Sequence, residues 1–355
     1  MSSASSSNPD APAADASSRL RLVRRAADTL GPLAVLAVVL IGFGLIEGRM
    51  KAEQGLTPTF LTVKNIRNMS EQTVVVAVAA LGMTLIIISR GIDLAAGTSL
   101  ALSAVVTAWC FREGYAMPWP IVAAVGIGGL VGLINGSIIS LLGMRPFIVT
   151  LGMMTVVQGT AKLIARETTV EASKGVPEWL LNLVFSSGTQ PWLVYPVLPN
   201  FAMGVWLLAA MAVALSIMLR YTVFGRYVFA VGSNEATARL CGINVKAVKI
   251  VVYTLAGLFI GAAGVMQFTK LSSGDPTGGV GLELRIIAAV VIGGGSLNGG
   301  RGSVLGTVAG AALMVVISSG CNFIQISNSV QDIVIGAIIV IAVWLDKLRH
   351  GRAEE

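Results

Sequence analysis

The chain has 355 residues, of which 55% are hydrophobic and only 12% are charged, and its mean hydropathy is +0.81. An average soluble domain carries about a quarter charged residues, so the composition excludes an ordinary soluble protein. Repeated apolar segments near the about 20 residues needed to cross a bilayer predict a polytopic membrane protein. The net charge of +7 does not indicate nucleic-acid binding, because Lys and Arg collect in the cytoplasmic loops of membrane proteins.

The chain begins with a polar segment that differs from the rest. Residues 1–30 are rich in Ser, Ala and Asp and carry four arginines before the first apolar segment, at Arg19, Arg21, Arg24 and Arg25. Such a composition buries too little apolar surface to fold. We therefore expect a disordered cytoplasmic tail over 1–30.

A transmembrane domain is predicted over 31–346, followed by a short cytoplasmic tail over 347–355. About ten spans are expected, at 32–46, 73–89, 94–111, 119–142, 147–165, 201–219, 249–269, 285–297, 302–320 and 329–345. The shortest, 285–297, is also rich in glycine, and 166–200 is expected to be a long external loop. An even number of spans puts both termini on one side, and the bias of Lys and Arg among the loops makes that side cytoplasmic.

Glycine recurs every four residues within several spans. The two clearest stripes are Gly128, Gly132 and Gly136, and Gly302, Gly306 and Gly310. Small residues at this spacing share one helix face and let two backbones approach closely in a membrane. We expect both stripes to be helix-packing positions in an all-α bundle.

A possible internal pseudo-repeat links 86–105 with 290–309. Both segments enter a glycine- and serine-containing turn from a β-branched apolar run, and both leave it as a helix of small residues. Few positions are identical, so the similarity indicates a distant duplication at most, of a kind common among transporters.

The chain carries no catalytic or metal-binding constellation. No Gly-Lys pair occurs, so a P-loop for ATP is excluded, and the glycine-rich stretch 293–300 lacks the lysine of such a loop. One histidine and three dispersed cysteines have no metal-ligand spacing. We expect no enzyme activity, no metal and no cofactor in this chain.

Polar groups inside the predicted spans are sparse. Asn135, Gln158 and Gln267 are the strongest candidates to line a pathway for a polar, uncharged solute. The acidic residues from the second span to the tenth fall at predicted span ends or in loops, which disfavours an ion-driven carrier. Asp93 comes nearest to an exception and is interpreted as a cap for the helix beginning near Leu94.

The segment 225–249 is a polar island between two apolar spans. Asn234 suits a helix N-cap and Gly242 a left-handed C-terminal position, with Ile243 as a hydrophobic cap contact. These signals predict a helix of about seven residues over 235–241. A helix this short is unstable alone in water, where about 12–15 residues are needed, so it requires a packing partner.

The predicted short helix also has an arrangement of side chains suited to contact. Ala236 and Leu240 form a small apolar face, and Glu235 and Arg239 are spaced to form an ion pair. From the residues alone, this face could rest on its own bundle or meet another protein.

Four segments carry a family resemblance: SRGIDLAAGTSLALSAV at 89–105, NGSIISLLGMRPFIVTLGMM at 135–154, GSNEATARLCGINV at 232–245 and AAVVIGGGSLNGGRGSVLGTVAGA at 288–311. In this order and spacing they resemble the membrane permease of bacterial ABC importers for monosaccharides of the ribose, xylose, arabinose and galactose type. Gly91, Asp93 and Gly97 belong to the signature turn of the first segment.

The resemblance implies an inner-membrane homodimer of ten-helix subunits that works with two copies of a separate ATPase and a periplasmic sugar-binding protein. It assigns a coupling helix, which docks into the ATPase, to Asn234, Glu235, Ala236, Arg239, Leu240, Gly242 and Ile243. Two alternatives stay open: a related ABC permease for nucleosides or branched-chain amino acids, and an ion-coupled secondary carrier.

Overall fold

A computed structural model describes residues 11–172, 175–184 and 201–351. The helices are α1 (Ala11–Glu53), α2 (Val63–Ile88), α3 (Ala96–Arg112), α4 (Trp119–Leu141), α5 (Pro146–Ala165), α6 (Glu178–Leu181), α7 (Met203–Tyr221), α8 (Val223–Ser233), α9 (Glu235–Leu240), α10 (Val245–Leu271), α11 (Leu282–Ile292), α12 (Val304–Phe323) and α13 (Asn328–Gly351). Two-residue strands β1 (Val170–Glu171) and β2 (Ser273–Gly274) form one antiparallel pair. The predicted all-α polytopic bundle is confirmed.

Seven of these helices are long and apolar enough to cross a membrane: α1 from Gly31 onward, α2, α4, α5, α7, α10 and α12. The three remaining predicted spans correspond to α3, α11 and α13. The prediction of a span at 285–297 is wrong in its extent, because α11 has 11 residues and is only about 16 Å long. Three consecutive glycines from Gly293 end it, and Gly294 has a φ of 92°, which favours glycine.

The second span begins ten residues earlier than its predicted start at 73, because the polar residues before that point have partners. The Thr62 hydroxyl accepts from the Asn65 N–H at 3.4 Å, and the Asn65 amide donates to the Phe60 carbonyl at 2.8 Å. Arg67 and Glu71 form an ion pair at 3.1 Å. A helix can therefore continue through a stretch that reads as polar.

Both predicted tails contain residues that are helical in the structure. α1 begins at Ala11, so the structure is helical in a segment expected to be disordered, where alanine favours a helix. α13 likewise passes the predicted boundary at 346 and runs to Gly351. Residues 1–10 and 352–355 lie outside the described residues, as do 173–174 and 185–200 of the predicted external loop.

α2 lies at the centre of the bundle. Its residues 77–88 are all buried, and α7, α10, α11 and α12 pack around it. Between α2 and α12, the hydroxyls of Thr84 and Thr307 share a hydrogen bond of 2.8 Å. The two segments proposed as a repeat are both a helix, a glycine-containing break and a second helix, α2 to α3 and α11 to α12.

Both glycine stripes lie at close helix contacts. Gly128 and Gly132 of α4 meet Gly257 and Gly261 of α10 backbone to backbone. Gly136 continues this contact towards Ile250 of α10.

The second stripe is divided between α12 and the residues before it. Gly306 and Gly310 of α12 lie against Gly293 and Ala289, the end of α11. Gly302 lies outside the helix, contrary to the prediction, because α12 begins at Val304 after Ser303 as its N-cap. It contacts Ile88 of α2 instead.

Candidate functional site

α9 is a short helix with a well-defined cap at each end. The Asn234 side chain accepts from the Thr237 N–H at 3.0 Å, which makes Asn234 the N-cap. Gly242 follows the helix with a φ of 81°, and the Ile243 N–H donates to the Ala238 carbonyl at 3.1 Å. This is the Schellman arrangement, in which a left-handed glycine ends a helix. The helix has six residues rather than the predicted seven.

One side of α9 packs on the bundle and the other side is exposed. Ala238 is buried, whereas Leu240 is 88% exposed and Ala236 is also exposed. Glu235 pairs with Lys249 of α10 at 2.6 Å and with Arg239 at 3.3 Å. The two apolar side chains of the predicted face, Ala236 and Leu240, are therefore both exposed on the side of α9 that does not pack on the bundle.

A contact between three glycines lies at the end of α8, just before α9 in the chain. α8 leads into α9, and near its end Gly232 lies against the Ile88 carbonyl, the last residue of α2. The Gly300 N–H donates to that same carbonyl at 2.8 Å, and a methyl group on Gly299 would lie 2.6 Å from the Gly232 carbonyl oxygen. We call Gly232, Gly299, Gly300 and Ile88 the glycine junction.

The glycine junction holds the end of α8 against the end of α2 and the loop before α12. A methyl group on Gly232 would overlap the Ile88 carbonyl oxygen and lie 2.7 Å from the Gly300 nitrogen. Backbones in such contact have no side chain between them that could absorb a displacement, and packed interiors transmit strain. A movement of α9 would therefore reach the end of α2 and the loop that precedes α12.

The signature turn lies between α2 and α3, inside the bundle. Asp93 is 3% exposed, and its Oδ1 accepts from the Ala95 N–H at 2.8 Å. It therefore supports the start of a helix, although that helix begins at Ala96 rather than Leu94. Gly91 lies against the hydroxyl of Tyr253 of α10, and this hydroxyl donates to the Ile92 carbonyl at 3.4 Å.

Glu283 is a buried acid that sequence reasoning placed at a span end. It is the second residue of α11, it is 7% exposed, and its Oε2 atom has no hydrogen-bond partner. Gly97 lies directly against this oxygen, and the structure places it in the first turn of α3 rather than in the predicted signature turn. In the sequence, the unusually short predicted span beside Glu283 was the one sign that this acid is buried. With Asp93 and Glu283 buried, the positions of the acids no longer argue against ion coupling.

The candidate pathway residues lie on three different helices. Asn135 of α4 is fully buried, and neither its amide oxygen nor its amide nitrogen has a partner. Gln158 of α5 and Gln267 of α10 are half-buried. The described hydrogen bonds do not join any two of the three. In the described part of the chain, no group of three or more His, Cys, Asp or Glu side chains could hold a metal.

Comparisons with known proteins cover most of the chain. Residues 65–343 match a family model described as branched-chain amino acid transport system / permease component. The ribose import permease protein RbsC of Escherichia coli (strain K12) is 37% identical over 297 residues, 83% of this chain and 89% of that protein. The fructose import permease protein FrcC of Rhizobium meliloti is 34% identical over 319 residues, 89% and 84% of the two chains.

A third relative matches over nearly its whole length. The galactose/methyl galactoside import permease protein MglC of Haemophilus influenzae is 33% identical over 339 residues, 92% of this chain and 96% of that protein. No solved structure matches the chain.

Proposed function

Because this chain belongs to the family described as branched-chain amino acid transport system / permease component, we propose that it is the membrane permease subunit of an ATP-driven importer for a monosaccharide. A separate ATPase supplies the energy, and a periplasmic binding protein delivers the sugar. The chain itself hydrolyses no ATP. It sits in the bacterial inner membrane as a pair of identical subunits, with both termini in the cytoplasm.

The observation that carries this proposal is the exposed apolar face of α9. Leu240 is 88% exposed on a capped helix of six residues, which is far shorter than an isolated helix needs to be stable in water. An apolar anchor on a rigid, pre-formed helix is typical of a protein docking into a groove. We assign the groove to the ATPase and α9 to the role of coupling helix.

The contacts support a route from α9 to the membrane helices. When ATP closes the two ATPase subunits, each pulls on its α9, and the glycine junction passes the displacement to α2 and to the loop before α12. The signature turn continues directly from α2, so α3 moves with it. The two glycine stripes keep α4 on α10 and α12 on α11 as rigid pairs during this change.

The cargo is proposed as a monosaccharide because relatives that cover most of the chain are named as ribose, fructose and galactose import permeases. The family description names branched-chain amino acids instead, and this favours an amino-acid permease as the second candidate. Asn135, Gln158 and Gln267 remain our proposed pathway residues, since amides can hydrogen-bond a neutral solute of either kind. Measuring which ligand the cognate binding protein holds separates the two candidates.

Replacing Leu240 by arginine should disrupt the complex with the ATPase. The substitution places a charge where an apolar anchor enters the groove, and losing a central anchor typically costs about 2 kcal/mol or more, or roughly thirty-fold in affinity. The measurement is the amount of ATPase that co-purifies with the tagged permease, followed by sugar uptake in liposomes that also contain the binding protein.

The matched control is Leu56→Arg. Leu56 is also exposed, but it lies between α1 and α2, on the face predicted to be periplasmic. Normal co-purification and uptake in both variants would contradict the role of α9. Uptake by the unsubstituted chain alone, driven by an ion gradient, would overturn the whole proposal in favour of a secondary carrier.

A further inference from the structure

A buried carboxylate oxygen and a helix N-terminus face each other between α11 and α3. Glu283 Oε1 accepts a hydrogen bond from the Gly281 N–H at 3.1 Å. Its other oxygen, Oε2, has no partner, although the residue is 93% buried. Oε2 lies directly against Gly97, the second residue of α3. Buried acceptors are nearly always paired, so an unpaired carboxylate oxygen inside a membrane bundle needs a physical reason.

The helix end that Oε2 faces has unused donors. The first N–H groups of an α-helix have no acceptor within the helix, and Ala95, the N-cap of α3, has no side-chain acceptor to offer. Asp93 satisfies the Ala95 N–H. Within the described part of the chain, no acceptor is recorded for the N–H groups of residues 96–98. The dipole of α3 adds partial positive charge at this end.

A hydroxyl group matches both halves of this arrangement. It donates its proton to Glu283 Oε2 and accepts, through its oxygen, from a first-turn N–H of α3. An anionic ligand would be repelled by the carboxylate, and a cation would leave the N–H donors of the helix end unpaired. We infer that Glu283 and the N-terminus of α3 form a subsite for a hydroxyl of a neutral sugar on its way through the bundle. The inference rests on the proposed function, since it takes a sugar as the cargo.

Two glycines close this subsite in the present structure. A methyl group on Gly97 would overlap the Gly279 carbonyl oxygen, and one on Gly279 would overlap the Gly97 carbonyl oxygen. At Gly279 the loop before α11 therefore rests backbone to backbone on α3. Val280 and Leu284 on either side are exposed by 56% and 50%, so the subsite lies just beneath the surface of the subunit. The subsite opens when the segment 275–281 separates from α3.

The test compares a sugar with its single-deoxy analogues. The complex of permease, ATPase and binding protein is reconstituted in liposomes and offered D-ribose, D-fructose and D-galactose. For the sugar that is imported, uptake of each single-deoxy analogue that the binding protein still holds is then measured. One analogue lacks the hydroxyl that meets Glu283, and the unsubstituted complex should import it about ten-fold more slowly or worse, as for a lost hydrogen bond to a charged group.

The Glu283→Ala variant should import that analogue and the parent sugar at similar rates, because the oxygen that distinguishes them is gone. Glu283→Gln keeps the shape and one carbonyl oxygen, so it should show a reduced but measurable difference between the uptake rates of the two sugars. This variant provides the test if the alanine variant does not assemble. Leu284→Ala is the neighbouring control and should discriminate as the unsubstituted complex does. An unchanged ratio in the Glu283 variants would overturn the inference, whereas no import of any sugar by the unsubstituted complex would instead overturn the proposed function.

Discussion

Replacing Gly132 by alanine should sharply lower the yield and stability of the folded protein. A methyl group there would overlap the Tyr253 carbonyl oxygen and lie 2.9 Å from the carbonyl carbon and 3.2 Å from the Gly257 Cα. All three atoms are backbone of α10, so none can move without shifting the helix. Overpacking typically costs about 1–3 kcal/mol, and we expect the upper end of this range because the opposing surface is rigid.

The measurement is thermal unfolding of the detergent-purified protein, with Gly126→Ala as the matched control. Gly126 is in the same helix, is exposed, and has nothing within 4 Å of the position of an added methyl group. Alanine favours a helix over glycine by about 1 kcal/mol, so the control should be neutral or slightly more stable. Equal stability of the two variants would contradict the described contact between α4 and α10.

Local signals in the sequence predicted the local structure well. Asn234 and Gly242 define the ends of α9 because capping depends only on residues within one turn. Apolar segments located the helices because crossing a bilayer requires length and hydrophobicity alone. The early start of α2 was missed, since it depends on Asn65 and Glu71 finding hydrogen-bonding partners.

The features that joined distant parts of the chain could not be predicted in the same way. Glu283 reads as a residue at a span end, and only the approach of Gly97, far away in sequence, shows that it is buried. The glycine junction likewise combines the ends of α2 and α8 with the loop before α12. The spacing of the glycines predicts a close helix contact. Glycine has no side chain whose chemistry would identify the helix on the other side of that contact.

Gly232→Ala should leave a complex that assembles and hydrolyses ATP but imports little sugar. The added methyl group would overlap the Ile88 carbonyl oxygen and crowd the Gly300 nitrogen, which forces α8 away from α2. Neither Leu240 nor the rest of the exposed face of α9 is altered, so docking of the ATPase should persist. Coupling energies between sites are typically about 1–3 kcal/mol, so sugar imported per ATP should fall about 5- to 150-fold.

The ratio of sugar uptake to ATP hydrolysis in liposomes is the decisive quantity, because it distinguishes a loss of coupling from a loss of ATPase binding. Ser233→Ala is the control: Ser233 is the next residue along α8, is exposed and lies against Gly300, so this variant removes an atom at the junction where Gly232→Ala adds one. A normal ratio in Gly232→Ala would mean that α9 drives the membrane helices by another route. Failure to bind the ATPase would make the junction part of the docking site. Only intact binding with a lowered ratio is expected if backbone contact at Gly232 carries the movement of α9 into α2.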